Sequence, residues 1–438
     1  MKLILTLGTM LLAAQPSPTR PRPRPQTVPA STVAPAPAFK ARIDQLLALL
    51  NGGANYDALF SPAFRQAIPQ AQFQVYVDQL KAKGGSATHV ESISATTPWQ
   101  ATVTIGYQRI VATMLVAVDP ETPHAIIGLR ITTAEPRNDS LAKLQADFAK
   151  LHGSAGFGIY ALSDDGMTPV AESNGKGAAP LGSAFKLWVL AEAAREVDAG
   201  ERHWTDVVRV GRHSLPSGIL QEWPENAPVT LQTLATLMIS ISDNTAADSL
   251  LNILGQAKVG TMVRTIGIAD PDRTLPVLTT MQAFELKAPT HAALADTWAK
   301  ESPQARAKLL ADNAAAFDSF RIDPQMFAGK PLRTDGIEWF ASPEDMAKTL
   351  NWLRLRGDDT VRAILAVNHG TDPATAGHFA YVGFKGGSEP GVITLNYLVQ
   401  SKAGQWYAVT GNWHDPDASV SAPEFAGLMN RALRFVPR

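Results

Sequence analysis

Ser183-Ala184-Phe185-Lys186 places a serine three residues before a lysine, ahead of Leu187-Trp188-Val189-Leu190-Ala191-Glu192-Ala193-Ala194, a run of mostly strong helix formers. The spacing puts Ser183 at or just inside a helix N-terminus with Lys186 one turn on. Residues i and i+3 share a helix face, so the amine can reach the hydroxyl. A serine hydroxyl needs an adjacent base to attack a carbonyl at neutral pH, and a lysine whose pKa is lowered by desolvation can be that base. The helix N-terminus also offers partial positive charge to a developing oxyanion. Ser183 is therefore read as a nucleophile that becomes acylated, and Lys186 as its base.

Two further motifs follow in order. Ser242-Asp243-Asn244 comes after a helical pattern with Leu231, Leu234, Met238 and Ile241 on one face. The hydroxyl of Ser242 can pass a proton to a leaving nitrogen, and Asn244 can fix both the lysine and a substrate amide. Lys385-Gly386-Gly387-Ser388 lies in a strand that the pattern Tyr381-Val382-Gly383-Phe384 introduces. Glycines such as Gly387 let a substrate backbone lie along a strand edge, and Lys385 supplies positive charge for a substrate carboxylate. Each motif alone is weak. Ser140-Leu141-Ala142-Lys143 repeats the first and Lys83-Gly84-Gly85-Ser86 repeats the third. Ser140 reads as a helix cap, and Lys83 to Ser86 as a helix end. Only Ser183, Ser242 and Lys385 stand in order, each on its expected element.

The elements that must position these residues fall into two units. Over residues 39–135 helices come first and strands after. Ile43, Leu46, Leu47 and Leu50 mark a helix from Phe39 to Leu50, and a second runs from Ala71 to Lys83, stopped by Gly84-Gly85. Strand-like runs follow at Thr88 to Thr96, Trp99 to Tyr107, Arg109 to Val118 and His124 to Thr133. Their period of two suits an antiparallel meander with one face on the helices. This order resembles the cone-shaped α+β folds of the ketosteroid-isomerase and cystatin-like group, but no acid–base pair is visible in it. An accessory or docking domain is expected.

The second unit is expected over residues 138–438. Leu141, Leu144, Phe148 and Leu151 mark an amphipathic helix, followed by strands Phe157 to Leu162 and Pro169 to Ser173. A long helical section precedes strands at Tyr381 to Lys385, Val392 to Gln400 and Trp406 to Asn412. A last helix uses Phe425, Leu428, Met429 and Leu433. That layout is α+β: an antiparallel sheet made from both ends of the unit, covered by helices, with a helical part inserted between its strands.

The three motifs resemble the Ser-x-x-Lys, Ser-Asp-Asn and Lys-Thr-Gly set of class A β-lactamases and penicillin-binding proteins. The run Pro228-Val229-Thr230-Leu231 through Leu237-Met238-Ile239-Ser240-Ile241-Ser242-Asp243-Asn244-Thr245-Ala246-Ala247-Asp248 is very similar to class A enzymes. With the preceding α+β domain, the chain resembles the two-domain β-lactamase-like proteins typified by one in the clavulanic acid gene cluster. The resemblance implies a β-lactamase/transpeptidase-like fold for the second unit. It makes Ser183 the acylated nucleophile, Lys186 the acylation base and Ser242 the proton shuttle. Asn244 and Lys385 then bind substrate, Lys385 through its carboxylate, and the N–H groups of Ser183 and Ser388 form the oxyanion hole.

This sequence departs from the family pattern twice. Gly386 replaces the Thr of the third motif, removing a hydroxyl that would help hold a carboxylate. Class A enzymes carry Glu-x-x-Leu-Asn downstream of Ser-Asp-Asn, and its Glu activates the deacylating water. Here the comparable stretch reads Leu275-Pro276-Val277-Leu278-Thr279-Thr280-Met281-Gln282. Glu285 and Glu338 lie in the segment before Ser342-Pro343 and can substitute; each also reads as a structural or surface carboxylate. The leading reading is a serine hydrolase that opens β-lactam rings. The alternative is a penicillin-binding module, an esterase or a DD-peptidase-like protein with slow or no β-lactam turnover. The expected partner is a small β-lactam, an ester or a peptidoglycan-like substrate.

Composition bounds these readings. At 438 residues two folded units are natural, and a net charge of -1 gives no global field for nucleic acid or an anionic membrane. No internal apolar run is long enough to span a bilayer. Lys2, the apolar stretch Leu3 to Leu12 and the small Ala13-Ala14 read as a signal peptide over residues 1–15, with a buried first helix as the other reading. Residues 16–38 alternate Pro with Arg, Ser, Thr, Val and Ala and read as a solvated linker, so an exported, periplasmic or secreted protein is expected. There is no cysteine for disulfides, and the nine histidines show no ligand-like spacing. No metal site and no cofactor are expected.

Overall fold

The computed structural model describes residues 33–319, 323, 325 and 329–438. The expected signal peptide and most of the expected linker lie outside these residues. The linker's last two residues, Pro37 and Ala38, instead open a helix, because proline is tolerated at a first helical turn where its N–H is not needed.

The chain divides into two compact units between Pro136 and Arg137. In the first, helices α1 (Pro37–Leu50), α2 (Tyr56–Leu59), α3 (Pro62–Ala67) and α4 (Gln70–Gly84) precede strands β1 (Ala87–Thr97), β2 (Gln100–Tyr107), β3 (Ile110–Val118) and β4 (Ile126–Pro136). The strands pair in chain order as an antiparallel meander. One face buries Val103, Ile105, Ala112 and Met114 against Phe39, Ile43 and Leu46 of α1 and Phe73, Val77 and Leu80 of α4. Val103 lies opposite Met114 and Ile105 opposite Ala112, so the apolar alternation of the two strands is in register. Asn55 and Ser61 cap α2 and α3, two short helices that carry no sequence periodicity. Gly84 ends α4, so the Lys83 to Ser86 repeat of the third motif is a helix terminus.

The second unit is built on a five-stranded antiparallel sheet. Its first part holds α5 (Leu141–Phe148), β5 (Ser154–Ser163), β6 (Gly166–Ser173), β7 (Ala179–Pro180), a 3-10 turn over Gly182–Phe185 and α6 (Lys186–Asp198). The helical part holds β8 (Val207–Arg209), β9 (Pro228–Thr230), α7 (Leu231–Ser240), α8 (Asn244–Leu254), α9 (Gln256–Ile266), α10 (Thr280–Lys287), α11 (Ala292–Trp298), α12 (Pro303–Asp312) and α13 (Ala314–Ser319). The chain returns through β10 (Phe340–Ala341), α14 (Pro343–Arg356), α15 (Asp359–Leu365), α16 (Pro373–Ala376), β11 (Phe379–Glu389), β12 (Val392–Ser401), β13 (Trp406–His414) and α17 (Ala422–Arg434). Strand order is β11-β12-β13-β5-β6, so the two ends of the unit meet at the β13–β5 pair and β11 is an edge.

Successive residues on these strands feed two cores, as strand geometry requires. Phe157, Ile159, Tyr397, Val399, Tyr407 and Val409 pack with Leu144 and Phe148 of α5 and Phe425, Met429 and Leu433 of α17. Their neighbours Tyr160, Leu162, Leu398 and Ala408 join the larger core around α6 and α14. Arg431 of α17 binds Asp139 at 2.7 Å and Asp147 at 2.8 Å, tying the first helix of the unit to the last. Helix α6 is sheathed on almost every side. Leu187, Trp188, Val189, Leu190 and Ala191 are all fully buried, which fixes the turn in front of it. Ser140 caps α5 by accepting from Lys143 N, and the Lys143 amine donates to Asn138 O at 2.6 Å. The Ser140 to Lys143 repeat of the first motif is thus a helix start.

Two local expectations are corrected. The first is the end of β11, given as Lys385, which runs on to Glu389; the third motif lies in the strand as expected, with Lys385 to Glu389 paired to Asn396 to Val392 of β12. The second is Ile241, which does not share the buried face of α7: the helix ends at Ser240, and Ile241 is 44% exposed.

Candidate active site

Ser183 sits in the 3-10 turn that enters α6, and three contacts hold this turn. Leu181 N donates to Trp339 O at 2.8 Å. Phe185 stacks on Trp339 with centroids 3.8 Å apart and planes 6° from parallel. Gly182 N donates to the Glu338 carboxylate at 3.1 Å. Strand β11 crosses directly over the turn at Gly387. A Cβ there would stand 2.1 Å from Leu181 O, 2.6 Å from Ser183 N and 2.7 Å from Ala184 N. Only glycine permits that approach, which brings the strand carrying Ser388 against the backbone of Ser183.

Lys186 begins α6 and is fully buried. Its amine donates to Ser242 O at 2.6 Å, Asn244 Oδ1 at 2.7 Å and Ser242 Oγ at 3.3 Å. Among the described residues no hydrogen bond joins it to Ser183. The i, i+3 spacing brings the two residues to the same turn, while acceptors from the α7–α8 connection hold the amine. Burial drives the Lys186 pKa down to about 7, against the opposing pull of Asp248 and Asp243. An ammonium supplies three donors, matching its three acceptors; loss of one proton leaves a lone pair among them.

Ser242 stands between two lysines. Its Oγ also accepts from Lys385 Nζ at 3.0 Å. With both lysines donating, the hydroxyl proton remains available to a substrate. The backbone at Ser242 has φ +61, a left-handed conformation uncommon for a residue other than glycine. Neighbouring bonds hold it there. Asn244 N donates to Ser217 O at 2.9 Å, and Asp243 Oδ2 accepts from Ile219 N at 2.7 Å and Leu220 N at 2.9 Å. Asn244 Nδ2 donates to Leu215 O at 3.2 Å, so this side chain ties the lysine to the Leu215–Ser217 loop.

Lys385 is only 2% exposed. Its amine also donates to Gly386 O, and burial, reinforced by the Lys186 charge, pushes its pKa well below the lysine value. The expected cation for a substrate carboxylate is thus a desolvated amine already engaged by two oxygens.

These residues open onto one cavity of about 520 Å³ whose lining includes Ser183, Ser242, Asn244, Lys385, Gly387 and Ser388. Lys186 lies behind it. The remaining wall is mostly apolar, with Phe284, Trp339, Phe384, Ile393 and Leu395. Thr280 in that wall is fixed by Asp248, whose carboxylate accepts from Thr280 N at 2.7 Å and Thr280 Oγ1 at 2.8 Å.

Of the two glutamates singled out by sequence, only Glu338 lines the cavity. Glu285 pairs with Arg212 at 3.7 Å. Glu338 belongs to a buried cluster that sequence gave no sign of: Lys287 lies 2.5 Å from Glu338 and also binds Glu389. Burial raises the Glu338 pKa, but Lys287 and the Gly182 N–H outweigh it and hold the carboxylate below its usual range. Burial and the Glu338 charge push Glu389 well above that range, against the opposing pull of Lys287. Leu275, which opens the stretch at the comparable distance, is 7% exposed and is not among the residues that line the cavity. Among the described residues no group of three His, Asp or Glu is placed to hold a metal. No helix among them is long and apolar enough to cross a membrane.

A family model described as the β-lactamase enzyme family matches residues 140–358, half of the chain. The chain belongs to the β-lactamase enzyme family. The matched segment contains Ser183, Lys186, Ser242 and Asn244 and ends before Lys385. Similar solved structures include that of PBP-A, at 18% identity over 68% of this chain and 93% of that one, with a TM-score of 0.46. A β-lactamase from Sphaerobacter thermophilus is 23% identical over 68% of this chain and 97% of its own, with a TM-score of 0.46. One from Xanthomonas campestris pv. campestris is 17% identical over 67% and 94%, with a TM-score of 0.46. Among curated proteins no sequence matches the chain. Within this β-lactamase-family unit, Lys287, Glu389 and Trp339 act on the site through tertiary contacts alone, and nothing in their local sequence marks them; Asp248 closes the run that the sequence singled out, but its hold on Thr280 is a tertiary contact.

Proposed function

We propose that this β-lactamase-family protein is a serine hydrolase that forms an acyl-enzyme on Ser183 with β-lactams and related esters or amides. The observation that carries the reading is the buried Lys186 amine, with its pKa near neutrality, joined through Ser242 to Lys385 at the cavity that holds Ser183. Ser183 Oγ attacks the carbonyl carbon, and its proton passes to the neutral Lys186 amine. The N–H groups of Ser183 and Ser388 stabilise the oxyanion. Collapse breaks the carbonyl–leaving-group bond, and the leaving nitrogen or oxygen takes a proton through Ser242 Oγ. Asn244 holds the lysine in place. Water then cleaves the ester on Ser183 and restores the hydroxyl.

Acylation followed by slow release is a second reading, favoured by the missing Glu-x-x-Leu-Asn motif and by the engagement of Glu338 with Lys287 and Gly182 N. Intact-protein mass spectrometry over time after adding a penicillin and a cephalosporin separates the two. A transient adduct, absent in Ser183→Ala, means turnover, and a persistent one means a penicillin-binding module. No adduct on an intact Ser183, with penicillin or with reactive esters, sinks both. The apolar N-terminal stretch and the Pro-rich segment after it support export as a further part of this proposal.

A further inference from the structure

A buried cation joins the two backbone segments that carry the proposed oxyanion donors. Lys287 closes α10 and is fully buried. Its amine lies 2.5 Å from Glu338 Oε1 and also binds Glu389. The other oxygen of Glu338 accepts from Gly182 N at 3.1 Å, directly before Ser183. Glu389 follows Ser388 and ends β11, opposite Val392. The contacts therefore run from the residue before Ser183, through Glu338, Lys287 and Glu389, to the residue after Ser388. Glu338 and Glu389 line the cavity, whereas Lys287 does not.

Gly182 is where these contacts bear on geometry. It has φ +49, and a Cβ on it would stand 3.0 Å from Ser388 N. Its N–H opens the 3-10 turn, where no earlier carbonyl of the turn can accept it. The Glu338 carboxylate supplies that acceptor and so fixes the peptide plane ahead of Ser183. Pairing of β7 with β10, Pro180 opposite Phe340, brings Glu338 alongside the turn.

Stability alone is a poor reason for such a group. Burying a cation with two carboxyls costs desolvation, and apolar side chains of similar volume often fold as well. Apolar side chains cannot accept from a backbone N–H or join two segments by directed bonds. Burial lowers the Lys287 pKa, but Glu338 and Glu389 outweigh it and raise it, so the amine stays a cation with donors for both.

We infer that Lys287 is a positioning residue for acylation: through Glu338 and Glu389 it holds Gly182 and the end of β11 so that the N–H groups of Ser183 and Ser388 converge on one oxygen. The inference rests on the proposed acylation of Ser183 and names a residue outside the cavity on which its rate depends.

The test labels Ser183 in the full chain with ethyl p-nitrophenyl methylphosphonate. Ser183 Oγ bonds to phosphorus as its proton passes to Lys186, p-nitrophenolate leaves with the electron pair of the broken bond, and the phosphoryl oxygen takes the oxyanion's place. Saturating rate, half-saturating concentration and the fraction labelled by intact mass are read separately, so partial unfolding lowers only the fraction. Lys287→Met is expected to lower the saturating rate at least about tenfold, within the cost of about 1 Å of misplacement, and to leave the half-saturating concentration within about threefold. Lys287→Met combined with Glu338→Met is expected to regain urea stability over Lys287→Met yet label as slowly, because Gly182 N still lacks its acceptor. Glu389→Gln keeps the side-chain shape and is expected to be at least about threefold slower. A saturating rate close to that of the native chain in the double variant or in Glu389→Gln overturns the inference while leaving acylation of Ser183 intact. No labelling of Ser183 in the native chain overturns both.

Discussion

Replacing Gly387 by alanine adds one methyl group, and the structure gives its consequence. That carbon would stand 2.1 Å from Leu181 O, about 1.3 Å inside the 3.4 Å at which ordinary contact begins, and it would also press on the backbone N atoms of Ser183 and Ala184. No flexible side-chain end is available to yield. Either β11 lifts off the Ser183 turn or the turn moves, and the gap between Ser183 N and Ser388 N opens by roughly the same distance. Losing one oxyanion donor costs about 10²–10³ in rate, and a misplacement of about 1 Å costs about 10². Gly387→Ala is therefore expected to slow acylation of Ser183 by about 10²-fold or more, with destabilisation of ~1–3 kcal/mol from overpacking. Gly386→Ala is the control. Its new carbon meets Phe384 Cζ at 3.0 Å, Leu395 Cδ2 at 3.1 Å and Thr394 O at 3.2 Å, and two of those are side-chain ends that can give. Adduct formation followed by intact-mass spectrometry, with thermal unfolding in parallel, reads both effects. A folded Gly387→Ala that acylates within about threefold of the native chain would refute the oxyanion geometry.

Other expectations follow from the same site. Lys186 has a pKa of about 7 when folded, so its neutral, base-competent fraction grows as pH rises through 7; the acylation rate should climb with pH there and level off above about pH 8. A rate that falls across that interval would remove Lys186 as the base. Lys186→Ala should lower the acylation rate by about 10²–10⁴, the usual range for a general base, measured at pH 8 by the same mass assay. Lys287→Met leaves Glu338 and Glu389 buried without their cation, and urea unfolding should show a loss of ~3–5 kcal/mol. An unchanged urea midpoint would show that the cluster is solvated.

The local pattern of the chain carried much of this protein. Apolar periods of two and of three to four located β2, β3, α5 and α17, because a half-buried strand or helix must alternate its surface in that way. Turn and cap chemistry separated the decoys at Ser140 and Lys83 from the motifs at Ser183, Ser242 and Lys385, since Ser140 and Gly84 serve helix ends. Where those motifs meet was decided by the tertiary structure. Lys186 gives its hydrogen bonds to Ser242 and Asn244 because the α7–α8 connection folds over it, a relation between residues about 56 apart in the chain that no spacing rule encodes. Its lowered pKa comes from complete burial, and burial belongs to the assembled core. The same holds for Glu389. One residue past Ser388 it reads as a polar strand end, and its carboxyl becomes part of the cavity wall, with its pKa raised, only when folding buries it beside Lys287 and Glu338. Residue types and order singled out Ser183, Lys186, Ser242 and Lys385 as one candidate site. The charge that surrounds Ser183 was settled by three-dimensional contact, because desolvation and Coulomb energy depend on distance in space and not along the chain.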